Sequence, residues 1–295
     1  MDRVEIRTNT VTRADWDGRL SGHAAALQQH WTYGRVAESQ GARVERLSLW
    51  QGGTMIGVAQ LLRRRGLTVL LRGPVWLADV SAEARRAGLR ALARRRLCLL
   101  ATPEQAITGC GVVPLITPRH HAVLDLRADL PVLRAAMAGK WRNRLARAEA
   151  SGLRPTDLHR PAEWRWLIEA EASLRAQRRY RALPAGFVLA WDEAEPGGVL
   201  ACQIAQRGVP LAGMLFLRHG TGASYHLGWS GPEGRAASAH NLLLWHAVQG
   251  LRAAGVGWLD LGDVNDETAA GLAHFKLGCG AVAKPLGASC LVLPS

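Results

Sequence analysis

The chain has 295 residues, 48% of them apolar and 21% charged, with a formal net charge of +13. This length holds two ordinary domains, each able to bury a core. No stretch approaches the roughly 18 uninterrupted apolar residues of a membrane span, and the opening MDRVEIRTNTVTRADWDG has acids and no apolar core, so a cytoplasmic protein without a secretory leader is expected. Five scattered cysteines, Cys98, Cys110, Cys202, Cys279 and Cys290, form no CxxC pair. Buried thiols are therefore expected rather than a disulfide framework or a metal site. The positive charge suits polyanions: RNA, nucleotide phosphates or the surface of an anionic membrane touched from one side. A genome that favours Arg, Ala and Leu gives the same balance, so charge alone leaves its own meaning open.

In chain order, Val4-Glu5-Ile6-Arg7 reads as a first strand and the rest of 1–21 as a polar turn. A helix is expected from about Gly22 to Ser39, stopped by Gly41. RVERLSLW and TMIGVAQLLRR are strands joined by Gln51-Gly52-Gly53, a hairpin signal. LTVLLRGPVW is a third strand that stops at Gly73-Pro74. Residues 81–97 form a helix with an arginine-rich face, and 101–120, rich in Pro and Gly, is the crossover. HHAVLDL (120–126) is a strand able to pair with either half.

The same grammar then returns. Residues 129–150 predict one basic amphipathic helix, with Leu133, Met137, Trp141 and Leu145 on one stripe, ending at Gly152. A second helix covers 161–178. The strands ACQIAQRG, PLAGMLFLRHG and ASYHLGWSG repeat the earlier triplet, with an inner glycine in each middle strand (Gly57, Gly213). This reads as an internal repeat. The expected fold is α/β (α+β), two copies of a mixed central sheet flanked by helices, divided into residues 1–125 and 126–295. The stretch Ser224–Gly280, strand, helix HNLLLWHAVQGLRAAG, strand VGWLDLGD and a loop closing on HFKLGCG, is an α/β crossover that places a ligand site at strand ends.

Three segments carry a resemblance to a known family: KWRNRLARAEASGL (140–153), YHLGWSGPEGR…NLLLWHAV (225–248) and WLDLGDV…GLAHFKLGCG (258–280). In order and spacing the chain resembles a tandem acyltransferase of the GNAT fold, in the Fem-type branch of aminoacyl-tRNA-dependent transferases that build peptidoglycan bridges. The resemblance implies that Lys276 stabilises the oxyanion of a tetrahedral intermediate and that Phe275 seats the tRNA acceptor end. Such a fixed cation would act selectively on the transition state. Lys276 capping a loop and Phe275 filling core is the other reading.

Asp260 matches the family's strand-end Asp. It either orients or deprotonates the attacking amine, or it caps the next helix or pairs with an arginine. Cys279 replaces an aromatic residue and is not expected to be a nucleophile, because direct transfer needs no covalent intermediate. Tyr225 and Trp229 are candidates for stacking on a base or lining an acyl pocket, and Arg235 for holding the donor. Arg35 and Arg72 are candidates for the acceptor, a peptide, sugar or small-molecule amine. The family's lysine after its first-helix Trp-Gly turn is replaced here by Ala37, which argues against a nucleotide-linked cell-wall precursor.

Two donors stand side by side. Gly231–Ala239 has the small residues of a pyrophosphate-binding turn but not its spacing, and Glu233 opposes phosphate. Aminoacyl-tRNA is therefore the expected donor and acyl-CoA or an acyl carrier the alternative, with no bound cofactor and no metal. A non-catalytic basic protein binding RNA is the reading from another class. The histidines, including the neighbours His120 and His121, point to opposite faces or lack alignment and are expected in core or surface roles.

Overall fold

The structure, a computed structural model, describes residues 4–8, 10–64, 67–93, 98–178, 183–264 and 270–293. It contains two compact units, one formed by Met1–His120 with Lys284–Ser295 and the other by His121–Ala283. The last segment thus belongs with the first unit.

The first unit runs β1 (Glu5–Thr8), α1 (Arg13–Leu20), α2 (Trp31–Ser39), β2 (Arg43–Gln51), β3 (Thr54–Arg64), β4 (Leu67–Leu71), β5 (Val75–Trp76), α3 (Ala82–Ala93), β6 (Cys98–Ala101) and β7 (Val112–Ile116). Two features differ from expectation. Residues 13–20 are a helix, because the Thr12 hydroxyl accepts from the Asp15 amide at 3.2 Å and caps it. The expected helix over 22–39 contracts to α2, which His30 caps by accepting from the Thr32 amide. The β2–β3 hairpin turns through Gly52 and Gly53 with φ of 55° and 79°, the paired positive values of a type I′ turn. Helix α3 ends its described course at Ala93, and 94–97 lie outside the described residues.

The second unit continues with β8 (His120–Asp125), α4 (Leu130–Ala135), α5 (Gly139–Ala150), β9 (Thr156–Leu158), α6 (Pro161–Arg178), α7 (Ala185–Ala194), β10 (Val199–Gln206), β11 (Val209–His219), β12 (Gly222–Ser230), α8 (Pro232–Ala236), α9 (Ala239–Ala253), β13 (Trp258–Asp263), α10 (Ala270–Gly278) and β14 (Val282–Pro285); β15 (Ser289–Val292) closes the chain. The single helix expected over 129–150 is broken. The backbone leaves the helix at Ala138, whose amide donates to Gly278 O at 2.9 Å. Its apolar stripe survives the break, since Leu133, Met137, Trp141 and Leu145 are all buried. The expected loop at HFKLGCG is instead helix α10, stopped by Gly280 at φ 97°. Strands β6, β7, β14 and β15 and helix α7 had no clear signal in the sequence. Four of the five cysteines are buried; Cys110 is exposed.

The two sheets follow one plan. Their orders are β1-β2-β3-β4-β6-β15-β7, with β5 also on β3, and β9-β10-β11-β12-β13-β8-β14. The first sheet therefore takes in a strand from beyond its own run of sequence, since β15 returns to lie antiparallel beside β6, while β8, the first strand of the second unit, lies antiparallel beside β13. The pairing of β8 answers the ambiguity of HHAVLDL, and that of β15 explains why the last residues leave the second unit. Gly57 and Gly213 occupy matching middle strands, and at each a Cβ would lie 3.0 Å from a tryptophan ring, Trp76 or Trp166. The second core gathers Ala122, Leu145, Ile204, Phe216, Leu243 and Leu259, and the first gathers Leu49, Leu70, Leu89 and Leu100. Among the described residues no helix is long and apolar enough to cross a membrane.

Candidate active site

Strands β12 and β13 are parallel and pair through Gly222 with Trp258, Ala223 with Leu259 and Ser224 with Asp260. Beyond that point β12 runs on to Ser230 and β13 to Asp263 without pairing with each other. The gap opens outside the carboxyl ends of parallel strands, where α/β sheets hold ligands. Strand β12 bulges at its edge with β11, where Leu215 faces Leu227 and Phe216 faces Tyr225, leaving His226 as the extra residue. The backbone edge from Tyr225 to Ser230 that turns away from β11 is thereby offered to an extended ligand.

Strand β13 ends in a second bulge, between Asp260 and Asp263, built on Gly262 at φ 82°. A side chain is disfavoured at that angle, and glycine lets three groups converge. The Gly262 amide donates to Asp260 Oδ1 at 2.7 Å. The Lys276 ammonium lies 3.5 Å from where a Gly262 side chain would begin and donates to Asp263 O at 2.9 Å. His121 Nδ1 donates to both Asp260 oxygens at 3.0 Å. Asp260 and Lys276 are buried, at 5% and 7% exposure, and His121 keeps 17% of its side chain exposed. A buried carboxylate that orients one imidazole nitrogen fixes the tautomer and makes the other nitrogen a proton acceptor. Asp260 thus orients His121.

The other end of the gap is lined by aromatic groups. Phe275 lies 5.9 Å from the Trp141 ring and 6.1 Å from His240, and its carbonyl accepts from Trp141 Nε1 at 3.0 Å. His240, on the first turn of α9, donates to Trp229 O at 3.0 Å, which ties the start of that helix to the end of β12. Burial lowers the pKa of His240, so it favours the neutral form. Tyr225 packs beside Phe216 at 5.7 Å. The Trp229 ring is engaged edge-on by Trp166 at 5.8 Å, which makes it a packing group as much as a ligand platform. Arg235 folds back to donate to Ser230 O. Burial pushes the Cys279 thiol up to about 11, so it is no thiolate at neutral pH.

Six of the eight residues singled out from sequence, Tyr225, Trp229, Arg235, Asp260, Phe275 and Lys276, therefore lie along this gap or at its ends. Arg35 and Arg72 belong to the first unit. Arg35 is exposed on α2, whereas Arg72 is 5% exposed and donates through Nε to Glu104 Oε1 at 2.6 Å, an internal ion pair rather than a free cation. Sequence reasoning missed His121 and His240. The signal available for His121 was its place on a strand that the fold sets beside Asp260, and only the pairing of β8 with β13 reveals it. Among the described residues no group of His, Cys, Asp or Glu is arranged to hold a metal.

Residues 136–280, which include the whole gap, match the family model for an acetyltransferase (GNAT) domain. This segment is similar to a GNAT domain. The chain as a whole shares its fold with FemX, at a TM-score of 0.76 and 16% identity over 97% of each chain. It is also similar to a tandem GNAT protein from the clavulanic acid biosynthesis pathway, at 0.56 and 14%, over 97% of this chain and 98% of that one. L-PGS from Bacillus licheniformis matches at 0.56 and 13%, over 96% and 92%. At these identities the likeness is one of fold. No curated protein matches the chain in sequence. The protein is an acyltransferase with two GNAT-like units, and the resemblance to the Fem type seen in its sequence is matched by its architecture.

Proposed function

We propose that the protein transfers an aminoacyl group from aminoacyl-tRNA to a primary amine by direct attack. The observation that carries this reading is the convergence of Lys276 and the Asp260–His121 pair on Gly262 at the end of the β12–β13 gap. The acceptor nitrogen attacks the ester carbonyl carbon, and the carbonyl oxygen takes on charge opposite the Lys276 ammonium. The proton leaving nitrogen passes to His121 Nε2, while Asp260 holds Nδ1–H. Collapse breaks the carbon–oxygen bond to the terminal ribose, and His121 returns the proton to that oxygen. A new amide and a free tRNA 3′ end result. Phe275 and Tyr225 border the donor end, Trp229 and Arg235 shape the turn after β12, and Arg35 is the acceptor-side cation of the first unit. The reading puts the protein in the cytoplasm, where aminoacyl-tRNA is made.

The name of the matched family and the tandem GNAT neighbour, described without AcCoA, favour acyl-CoA as the second reading. Helix α9 supports it, because its N-terminus follows the gap and begins at Ser238 in a left-handed conformation. Thermal unfolding with CoA and acetyl-CoA, run beside transfer from aminoacyl-tRNA to a panel of amines, separates the two. Stabilisation by CoA with no transfer from aminoacyl-tRNA overturns the first reading. Aminoacyl transfer lost in His121→Gln and Lys276→Ala supports it.

A further inference from the structure

Helix α5 carries Lys140, Arg144 and Arg147, all exposed. At 3.6 residues per turn they fall within an arc of about 60° and span about 10 Å of the helix. None of the three has an ion pair or hydrogen bond among the described residues. The contrast with other arginines in the second unit is informative: Arg127 is paired with Asp125, Arg160 with Glu163 and Arg252 with Asp129. The acid of α5 itself, Glu149, is held by Arg134 through Oε1 at 2.7 Å and Oε2 at 2.5 Å, so it does not neutralise this face. Like charges four residues apart oppose helix formation, and here no carboxylate compensates.

The face is also fixed relative to the active site. At the N-terminal end of α5, the Ala138 amide donates to Gly278 O and Trp141 Nε1 to Phe275 O. The row of cations therefore begins beside α10, the helix that carries Phe275 and Lys276.

We infer that this face of α5 docks the phosphate backbone of the donor RNA behind its 3′ end. The inference rests on the donor reading above for the identity of the RNA. A polyphosphate fits better than a lipid surface because the other exposed positions of α5 are Gly139, Arg142, Asn143, Ala146 and Ala150. The large apolar side chains of the helix, Trp141 and Leu145, are buried in the core, so none is left to enter a bilayer. Arginine in turn is well suited to phosphate oxygens.

The test compares the wild type with the triple variant Lys140→Ala, Arg144→Ala, Arg147→Ala, using fluorescence anisotropy of labelled tRNA across a salt series. The unfolding temperature should not fall, since alanine favours the helix and repulsion is relieved. Affinity at low salt should drop about tenfold or more, and the log–log salt slope should become shallower by about 2 to 3, as expected for three lost phosphate contacts. Transfer from an aminoacyl dinucleotide, too short to run along the face of α5, should fall far less than transfer from aminoacyl-tRNA. Unchanged tRNA affinity and slope overturn the inference, as does unchanged tRNA binding with loss of binding to phosphatidylglycerol vesicles. Should the wild type transfer from neither donor while the variant still loses tRNA affinity, the donor reading falls and the docking face stands. Should tRNA transfer proceed with the same KM in both, the docking face falls and the donor reading stands.

Discussion

Each unit contains a pair of parallel strands that separates after a few residues, and the two gaps have different contents. In the first unit β4 pairs with β6 from Thr68 with Cys98 to Leu71 with Ala101, and then the chain turns at Arg72, whose φ is 54°. Polar side chains fill the space beyond. Arg72 and Lys284 both hold Glu104, and Gln29 donates to Leu71 O at 2.7 Å and to Gln60 O at 3.3 Å. Gln29 packs so closely that a side chain on Gly73 would begin 2.7 Å from its amide. In the second unit the matching gap is bordered by backbone from Tyr225 to Ser230 and ends on Lys276, Asp260 and His121. One sheet plan thus gives a closed joint in one copy and a candidate active site in the other. The difference lies in which side chains reach the point of separation.

The comparison can be broken most directly at Arg72. Arg72→Ala removes one of the two cations on the half-buried Glu104 and leaves it to Lys284; it should cost about 1–3 kcal/mol of stability, read by thermal unfolding, while turnover of the folded fraction is kept. Collapse of turnover with stability intact would instead make the first gap a binding site. Lys276→Ala should do the reverse, lowering kcat by about 10²–10³-fold with circular dichroism unchanged. A loss confined to stability would return Lys276 to a purely structural role as the tether of Asp263.

His226 distinguishes the second unit through pH. Burial, then the nearby Arg175 charge, pushes this imidazole, stacked on Phe187, down to about 4. The unfolded chain titrates near 6.5, so between these values the unfolded state binds the extra proton and stability falls as pH falls. The loss from pH 7 to pH 4 should approach about 3 kcal/mol, and His226→Phe should flatten that slope in unfolding curves recorded at each pH. The smallest effects belong to the repeat itself. Gly57→Ala and Gly213→Ala each press a methyl to 3.0 Å from a tryptophan ring and should each cost about 1–3 kcal/mol. Similar costs sharpen the equivalence of the two middle strands, and a large disparity weakens it.

Much of this was legible in the chain because it rests on local rules. The double glycine at 52–53 sets the first hairpin, and the spacing of Leu133, Met137, Trp141 and Leu145 marks a buried stripe even across a break. The order of strand, turn, helix and strand over 224–263 pointed to the gap, and six of the candidate residues lie along it. What escaped was decided at long range. Helix α10 was read as a loop because its glycines and short length mask its periodicity, yet Gly278 is the residue that admits Trp141 at close quarters. Arg72 carried no local sign that Glu104 would claim it.

The sequence by itself determined the class of fold and the repeat, since hydrophobic period and turn residues act over a few positions. The tertiary structure alone decided that β8 pairs with β13 and β15 with β6, that His121 meets Asp260 from 139 residues away, and that one gap closes on an ion pair while the other stays lined by backbone. Those outcomes depend on which strand edges and buried charges find each other, and a buried charge must be paired wherever its partner lies in the chain.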